Sequence, residues 1–137
     1  MNTFFANWYE LSGQMEGFSD DMFTNGLYLL PGIWMILIPM GLLTIYYYAI
    51  NASSFNRWWH WLLLVILIGI INFFIGYGTA FNGISEIYNQ LNSEPGYSLS
   101  IDSLTFGFIN ALWSMIIAFL WSMIIKWGSS NCRRTPF

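Results

Sequence analysis

Residues 104–125 read LTFGFINALWSMIIAFLWSMII, 22 positions without one charged side chain. At about 1.5 Å per residue this is roughly 33 Å of helix, enough to cross a hydrocarbon core of about 30 Å. Gly107, Ala111, Ser114, Ala118 and Ser122 recur along it. At about 100° per residue they share roughly 80° of arc. Lipid tails are as apolar as leucine, so bulk hydrophobicity gives two helices no reason to meet inside a bilayer. Narrow side chains do, because they let backbones approach and pack. The segment predicts a spanning helix with a docking face.

The composition of the chain agrees with lipid as its main solvent. Of 137 residues, 56% are hydrophobic, 20% aromatic and 8% charged, where a soluble domain carries about 25% charged residues. The formal charge of −3 and a pI near 4.7 exclude nucleic acid as a partner, since that binding needs a basic face. The single cysteine, Cys132, leaves no intramolecular disulfide and no multi-cysteine metal site.

Working back from the quoted stretch, a second span is predicted at 58–78. Trp58, Trp59 and Trp61 form an interfacial aromatic belt, with His60 among them as a polar anchor. Past an aliphatic core, Gly69, Asn72, Gly76, Thr79 and Ala80 gather on one side. An unpaired amide in hydrocarbon costs several kcal/mol, so Asn72 is expected to face protein or water. A first span is predicted at 27–50. Pro31 fits its first turn, whereas Pro39 removes the bond to the Met35 carbonyl and should kink it. Pro39 and Gly41 read either as a hinge or as a static kink that improves packing. Tyr46, Tyr47 and Tyr48 form the belt at its exit.

The remaining segments are connections. In 1–26, Phe4, Trp8, Leu11, Met15, Phe18 and Met22 recur at spacings of three and four, which predicts one amphipathic helix ended by Asn25-Gly26. Gly13 and Gly17 oppose it, at about 1 kcal/mol each. Acidic residues precede any apolar run and no basic residue does, so no secretory signal is predicted and the first span acts as an uncleaved insertion signal. Residues 51–57 form a short turn, in which Asn51-Ala52-Ser53 matches a glycosylation acceptor. Residues 79–103 form a long loop with a short helix carrying Ile84, Ile87, Tyr88 and Leu91, stopped by Ser93-Glu94-Pro95-Gly96. Ser100 or Asp102 is expected to cap the third span, 104–126, and 127–137 is a tail. The motif LWSMII occurs at 112–117 and again at 120–125. An eight-residue step turns a helix by about 80°, so the copies lie on different faces and indicate no fold repeat.

Charge sets an expected orientation. With three spans, Arg57, Lys126, Arg133 and Arg134 fall on one side, and all seven acids, Glu10, Glu16, Asp20, Asp21, Glu86, Glu94 and Asp102, on the other. The positive-inside rule then puts the N-terminus outside and 51–57 and the tail in the cytoplasm, which discounts the glycosylation site. In that frame Asn72 and Asn110 lie at one depth, roughly 9 Å below the outer boundary. They are expected to satisfy each other or to line a pore.

The fold class expected is therefore an all-α membrane protein. It has three transmembrane helices, an amphipathic N-terminal helix and a short helix in the outer loop. No span carries an ionisable residue, which argues against proton relays and coupled transport. No HExxH, phosphate loop or GxSxG occurs, and no enzyme, cofactor or metal site is expected. Cys132 beside Arg133 and Arg134 is open to acylation, or is a plain thiol. The expected function is a non-catalytic subunit of an envelope complex in a bacterial inner membrane. It would pack against copies of itself or other membrane proteins through helix–helix interface positions Gly69, Asn72, Gly76, Gly107, Asn110, Ala111, Ser114, Ala118 and Ser122. The alternative is a homo-oligomeric cation-permeable pore with an acidic mouth, lined by Asn72, Thr79, Asn110, Ser114 and Ser122.

Overall fold

A computed structural model describes residues 2–11, 15, 17–50 and 58–126. Every regular element among them is helical: α1 (Asn2–Glu10), α2 (Phe18–Thr24), α3 (Leu29–Thr44), α4 (Trp58–Leu91) and α5 (Leu99–Ile125). α3 runs on into a widened π-type turn at Ile45–Ile50. Three stretches are long and apolar enough to cross a membrane: Leu29–Tyr48, Trp58–Leu91 and Leu99–Ile125. The chain is thus an all-helical protein compatible with three transmembrane helices. The turn at 51–57, the tail at 127–137 and, with them, Arg57, Cys132, Arg133 and Arg134 lie outside the described residues, as does Glu16.

α4 and α5 form the central pair, and α3 packs against both. One apolar cluster, with Phe5, Tyr9, Phe18, Met22, Tyr28, Met35, Ala80, Ile84 and Phe106, fills the end of the bundle that bears α1 and α2. A second, with Leu43, Tyr46, Tyr47, Trp61, Val65, Ile68, Ala118 and Ile125, fills the far end. Two bonds tie the far end of α3 to α5. Tyr48 donates its hydroxyl to the Ile125 carbonyl at 3.2 Å, and Trp121 Nε1 donates to Thr44 Oγ1 at 3.3 Å.

Several boundaries differ from the sequence expectation, each for a local reason. α4 does not stop at Gly78. It continues unbroken to Leu91, so the helix expected in the loop is the outer part of α4 itself. Within this extension Ile84 is buried, Ile87 and Tyr88 are half-buried and Leu91 is exposed. The continuation is held from the side: a methyl on Gly83 would lie 2.8 Å from a Leu27 methyl carbon, so the bare backbone there receives the chain entering α3. The helix ends just ahead of the Ser93-Glu94-Pro95-Gly96 turn, at Asn92 in the left-handed region (φ 49°).

The third span begins at Leu99 rather than 104. Ser98 occupies the cap position without a capping side-chain bond, and Ser100 and Asp102 lie inside the helix. Asp102 still sits in the first turn, where the helix dipole favours an acid. At the other end of the first span the tyrosine belt is divided. Tyr46 and Tyr47 are buried in the bundle and only Tyr48 is exposed. A widened turn slows the rotation of a helical face, which lets two consecutive side chains point inward. Likewise Trp58 and Trp59 are exposed and stacked at 3.8 Å, whereas Trp61 is buried.

The single amphipathic helix expected over 4–22 is two helices. Gly17 breaks the stripe with φ +77°, and its bare Cα lies under the Tyr97 ring, 3.0 Å from where a methyl would stand. The buried face of α1 is Phe5, Ala6 and Tyr9, one position away from the expected Phe4 and Trp8, and Leu11 is exposed. Phe18 and Met22, on α2, are fully buried as the stripe predicts. Gly26, at φ +68°, supplies the turn after α2.

Candidate functional site

The seam between α4 and α5 carries most of the residues singled out from the sequence. A methyl on Gly107 would lie 3.0 Å from the Phe73 carbonyl oxygen and 3.1 Å from Tyr77 Cβ. One on Gly76 would lie 2.9 Å from Asn110 Cβ and 3.2 Å from Gly107 Cα, and one on Gly69 2.9 Å from Met115 Sδ. Gly76 and Gly107 therefore bring the two backbones of this chain together, as small residues do in lipid, while Gly69 makes room for Met115. Gly69, Asn72, Gly76, Gly107, Asn110, Ser114, Ala118 and Ser122 are all buried within the single chain. Ala111 alone is half-buried. The narrow faces are used mainly within the chain, and a neighbour could reach them only at Gly69 and Ala111, which also line an open groove.

The polar side chains on the seam turn back on their own backbone. Ser114 Oγ donates to the Ala111 carbonyl at 2.8 Å and Ser122 Oγ to the Phe119 carbonyl at 2.7 Å. Asn110 Nδ2 donates to the Asn72 carbonyl at 2.6 Å, and Asn72 Nδ2 to the Ile68 carbonyl at 3.1 Å. The two amides thus meet, as expected, although the ends from which their common depth was counted, Gly78 and Leu104, are not where α4 and α5 end. The link, however, runs from one side chain to the other residue's backbone, not amide to amide. Asn72 Oδ1 and Ser103 Oγ are buried with no hydrogen-bond partner.

The third member of the network comes from outside the spans. Tyr9 donates its hydroxyl to Asn110 Oδ1 at 2.7 Å. Burial, reinforced by the neighbouring Tyr28, raises the Tyr9 pKa above its ordinary value, which keeps the phenol a neutral donor. The Tyr9 ring packs on Phe106 at 4.6 Å and stacks on Tyr28 at 5.4 Å. Trp8 packs on Trp113 at 4.9 Å, and a methyl on Gly32 would overlap the Phe5 ring. Trp113 lies nine residues into the run that starts at Leu104, about 14 Å along the helix axis. So α1 packs beside the spans within their apolar length.

α2 is fastened separately. Asp21 Oδ2 accepts from Tyr97 at 2.5 Å and from Tyr88 at 2.9 Å, joining α2 to the end of α4 and to the loop before α5. Burial, and then the bond to Asp21, raise the Tyr97 pKa. Of the hinge candidates, Pro39 is buried against the bundle and Gly41 faces open space. Beside the seam, Ile66, Gly69, Ile70, Phe73, Phe74, Phe108, Ala111, Leu112 and Met115 line an open apolar groove of ≈ 350 Å³. Among the described residues no three of His, Cys, Asp and Glu come together as a metal site would require.

Sequence reasoning did not single out Tyr9, Gly32 or Ser103. Ser103 carried a usable signal, since it lies seven residues before Asn110 and so on the same face two turns away. Tyr9 carried none, because its partner is 101 residues distant. No family model, curated protein or solved structure matches this chain.

Proposed function

We propose that this chain is a non-catalytic integral-membrane subunit that assembles with copies of itself or with other membrane proteins. One observation carries the reading. Asn110, Ser114 and Ser122 each donate to a carbonyl of the same two helices. That is how polar groups serve helix packing, not how they present themselves to a substrate or an ion. Contact with a neighbour then falls to the bulky outward faces. Among the seam positions, Ala111 is half-buried beside the open groove and so is reachable there.

The proposed setting is a bacterial inner membrane, with the N-terminus outside and the C-terminus in the cytoplasm. Support comes from the segregation of the four basic residues from the seven acids. The pore remains a second reading, favoured by the two partnerless buried atoms, Asn72 Oδ1 and Ser103 Oγ. Its path would run inside one bundle rather than between chains.

The mass of the complex after mild detergent extraction tests the reading. A subunit gives a fixed stoichiometry above one chain, and a lone chain overturns it. Ala111→Leu then separates contacts between chains from contacts within one, since it should disturb assembly while leaving helix content unchanged. Steady single-channel conductance in planar bilayers, altered by Asn110→Leu, would favour the pore instead.

A further inference from the structure

We propose that α1 is a reversible plug that controls the access of water to the polar seam of the bundle. Ser103, Asn110, Ser114 and Ser122 are all buried along one face of α5, with Asn72 facing them from α4. From Ser103 to Ser122 is 19 residues, about 28 Å of helix and close to the depth of a hydrocarbon core. The seam also has unmet demand, because Asn72 Oδ1 and Ser103 Oγ have no partner. A buried polar atom left dry is costly, and water that reaches it removes that cost.

Tyr9 meets this line at Asn110, about two turns in from Ser103. Its hydroxyl holds Asn110, and Asn110 in turn holds the backbone of Asn72. Phe5 on Gly32 and Trp8 on Trp113 complete the seal. α1 has nine residues, too few to persist as a helix in water without its packing partners. It therefore opens as a local unit at less cost than the three long helices. The Asp21 fastening to Tyr88 and Tyr97 holds α2 in place, so opening α1 does not require the rest of the N-terminal region to leave. Wetting of Asn72 and Ser103 favours the open state, and the Tyr9–Asn110 bond favours the closed one.

The test uses the full chain in lipid vesicles with Cys132→Ser, so that each added thiol is the only one. Ser103→Cys and Ser114→Cys place near-isosteric reporters on the seam, and Leu112→Cys places one on the exposed apolar face. The probe is a small, charged, membrane-impermeant methanethiosulfonate. Adding Tyr9→Phe, which keeps the ring and removes the hydroxyl, should raise the labelling rate of both seam thiols by about three- to tenfold, the worth of one hydrogen bond. Leu112→Cys should stay unlabelled. Equal seam rates with and without Tyr9→Phe overturn the proposal. So does parallel labelling of Leu112→Cys, which would mean that the probe reaches apolar positions without passing along the seam.

Discussion

The two ends of this chain solve the same packing problem differently. α4 and α5 meet through absent side chains: Gly76 and Gly107 let the helices close on one another almost backbone to backbone, and Gly69 receives the Met115 side chain. α1 meets α3 and α5 through large ones, with Phe5, Trp8 and Tyr9 pressed onto Gly32, Trp113 and Phe106. At Gly76 and Gly107 the first kind of contact leaves no room for a methyl, and the second is as tight only where Phe5 lies on Gly32. The second is an aromatic wedge against a smooth wall, and it holds by many weak contacts and one hydrogen bond. The difference predicts that α4–α5 is the permanent part of the molecule and α1 the removable one.

Substitutions can break that contrast, beginning with the largest effect. Gly107→Leu would drive a side chain into the Phe73 carbonyl and should destabilise the bundle by about 3 kcal/mol or more, read by denaturant titration in detergent micelles. A loss below 1 kcal/mol would mean that the seam is not tightly packed. Asn110→Leu removes the bonds to Tyr9 and Asn72 together and should cost about 1–3 kcal/mol. Tyr9→Phe removes one bond and should cost about 0.6–1.5 kcal/mol. Amide hydrogen exchange should show that loss in α1 and leave α4 unchanged. An equal rise in exchange along α4 would erase the distinction between the two regions. Gly41→Ala, at an open position inside α3, should change stability by less than about 1 kcal/mol, and in the favourable direction. A large loss there would revive the hinge reading of Pro39 and Gly41.

The fastening of α2 gives a prediction in pH. The Tyr97 pKa is raised above its ordinary 10 by burial and by the bond to Asp21. A group whose folded pKa is raised contributes stability that is complete below its unfolded pKa and lost as pH climbs through the folded one. The bond between α2 and the loop should therefore hold from neutral pH to about 10 and weaken above it. Limited proteolysis near α2 should accelerate in that alkaline window, and Tyr97→Phe should abolish the Tyr97-linked part of the pH dependence. A rate that rises instead between pH 5 and 8 would assign the control to another group.

The α4–α5 seam was legible in the sequence because its information is local. Small residues at helical spacing on two apolar runs say which faces meet, and Asn72 and Asn110 stand out as the amides those faces carry; the ends from which their depth was counted lie elsewhere. What the pattern could not say was whether the matching face belonged to the same chain. The pairing of Gly76 with Gly107 is a fact of topology, and a small-residue stripe reads the same for a neighbour within or beyond the molecule. The N-terminal region was misread by a different route. The four-three spacing from Phe4 to Met22 passed across Gly17 as if the helix were continuous, which moved the buried face of α1 by one position. Gly78 misled in the opposite sense. It marked the expected end of the span, whereas α4 runs on to Leu91, with Leu27 packed at Gly83. Tyr9 was invisible because nothing in nine residues of sequence declares a partner in another helix.

The unbroken course of α4 bears on which membranes this protein can inhabit. Its 34 residues measure about 51 Å, and a bilayer takes up only about 30 Å of that. The surplus forms a mast, with the apolar run below grading into the amide-bearing run of Asn82, Asn89 and Gln90 above. A thicker or thinner bilayer therefore need not bend or tilt the bundle. It can slide its waterline along the mast, at a cost of fractions of a kcal/mol per ångström. The rigid pair would ride that change like a float, and the short aromatic helix at its side would be wetted or drowned as the level falls or rises.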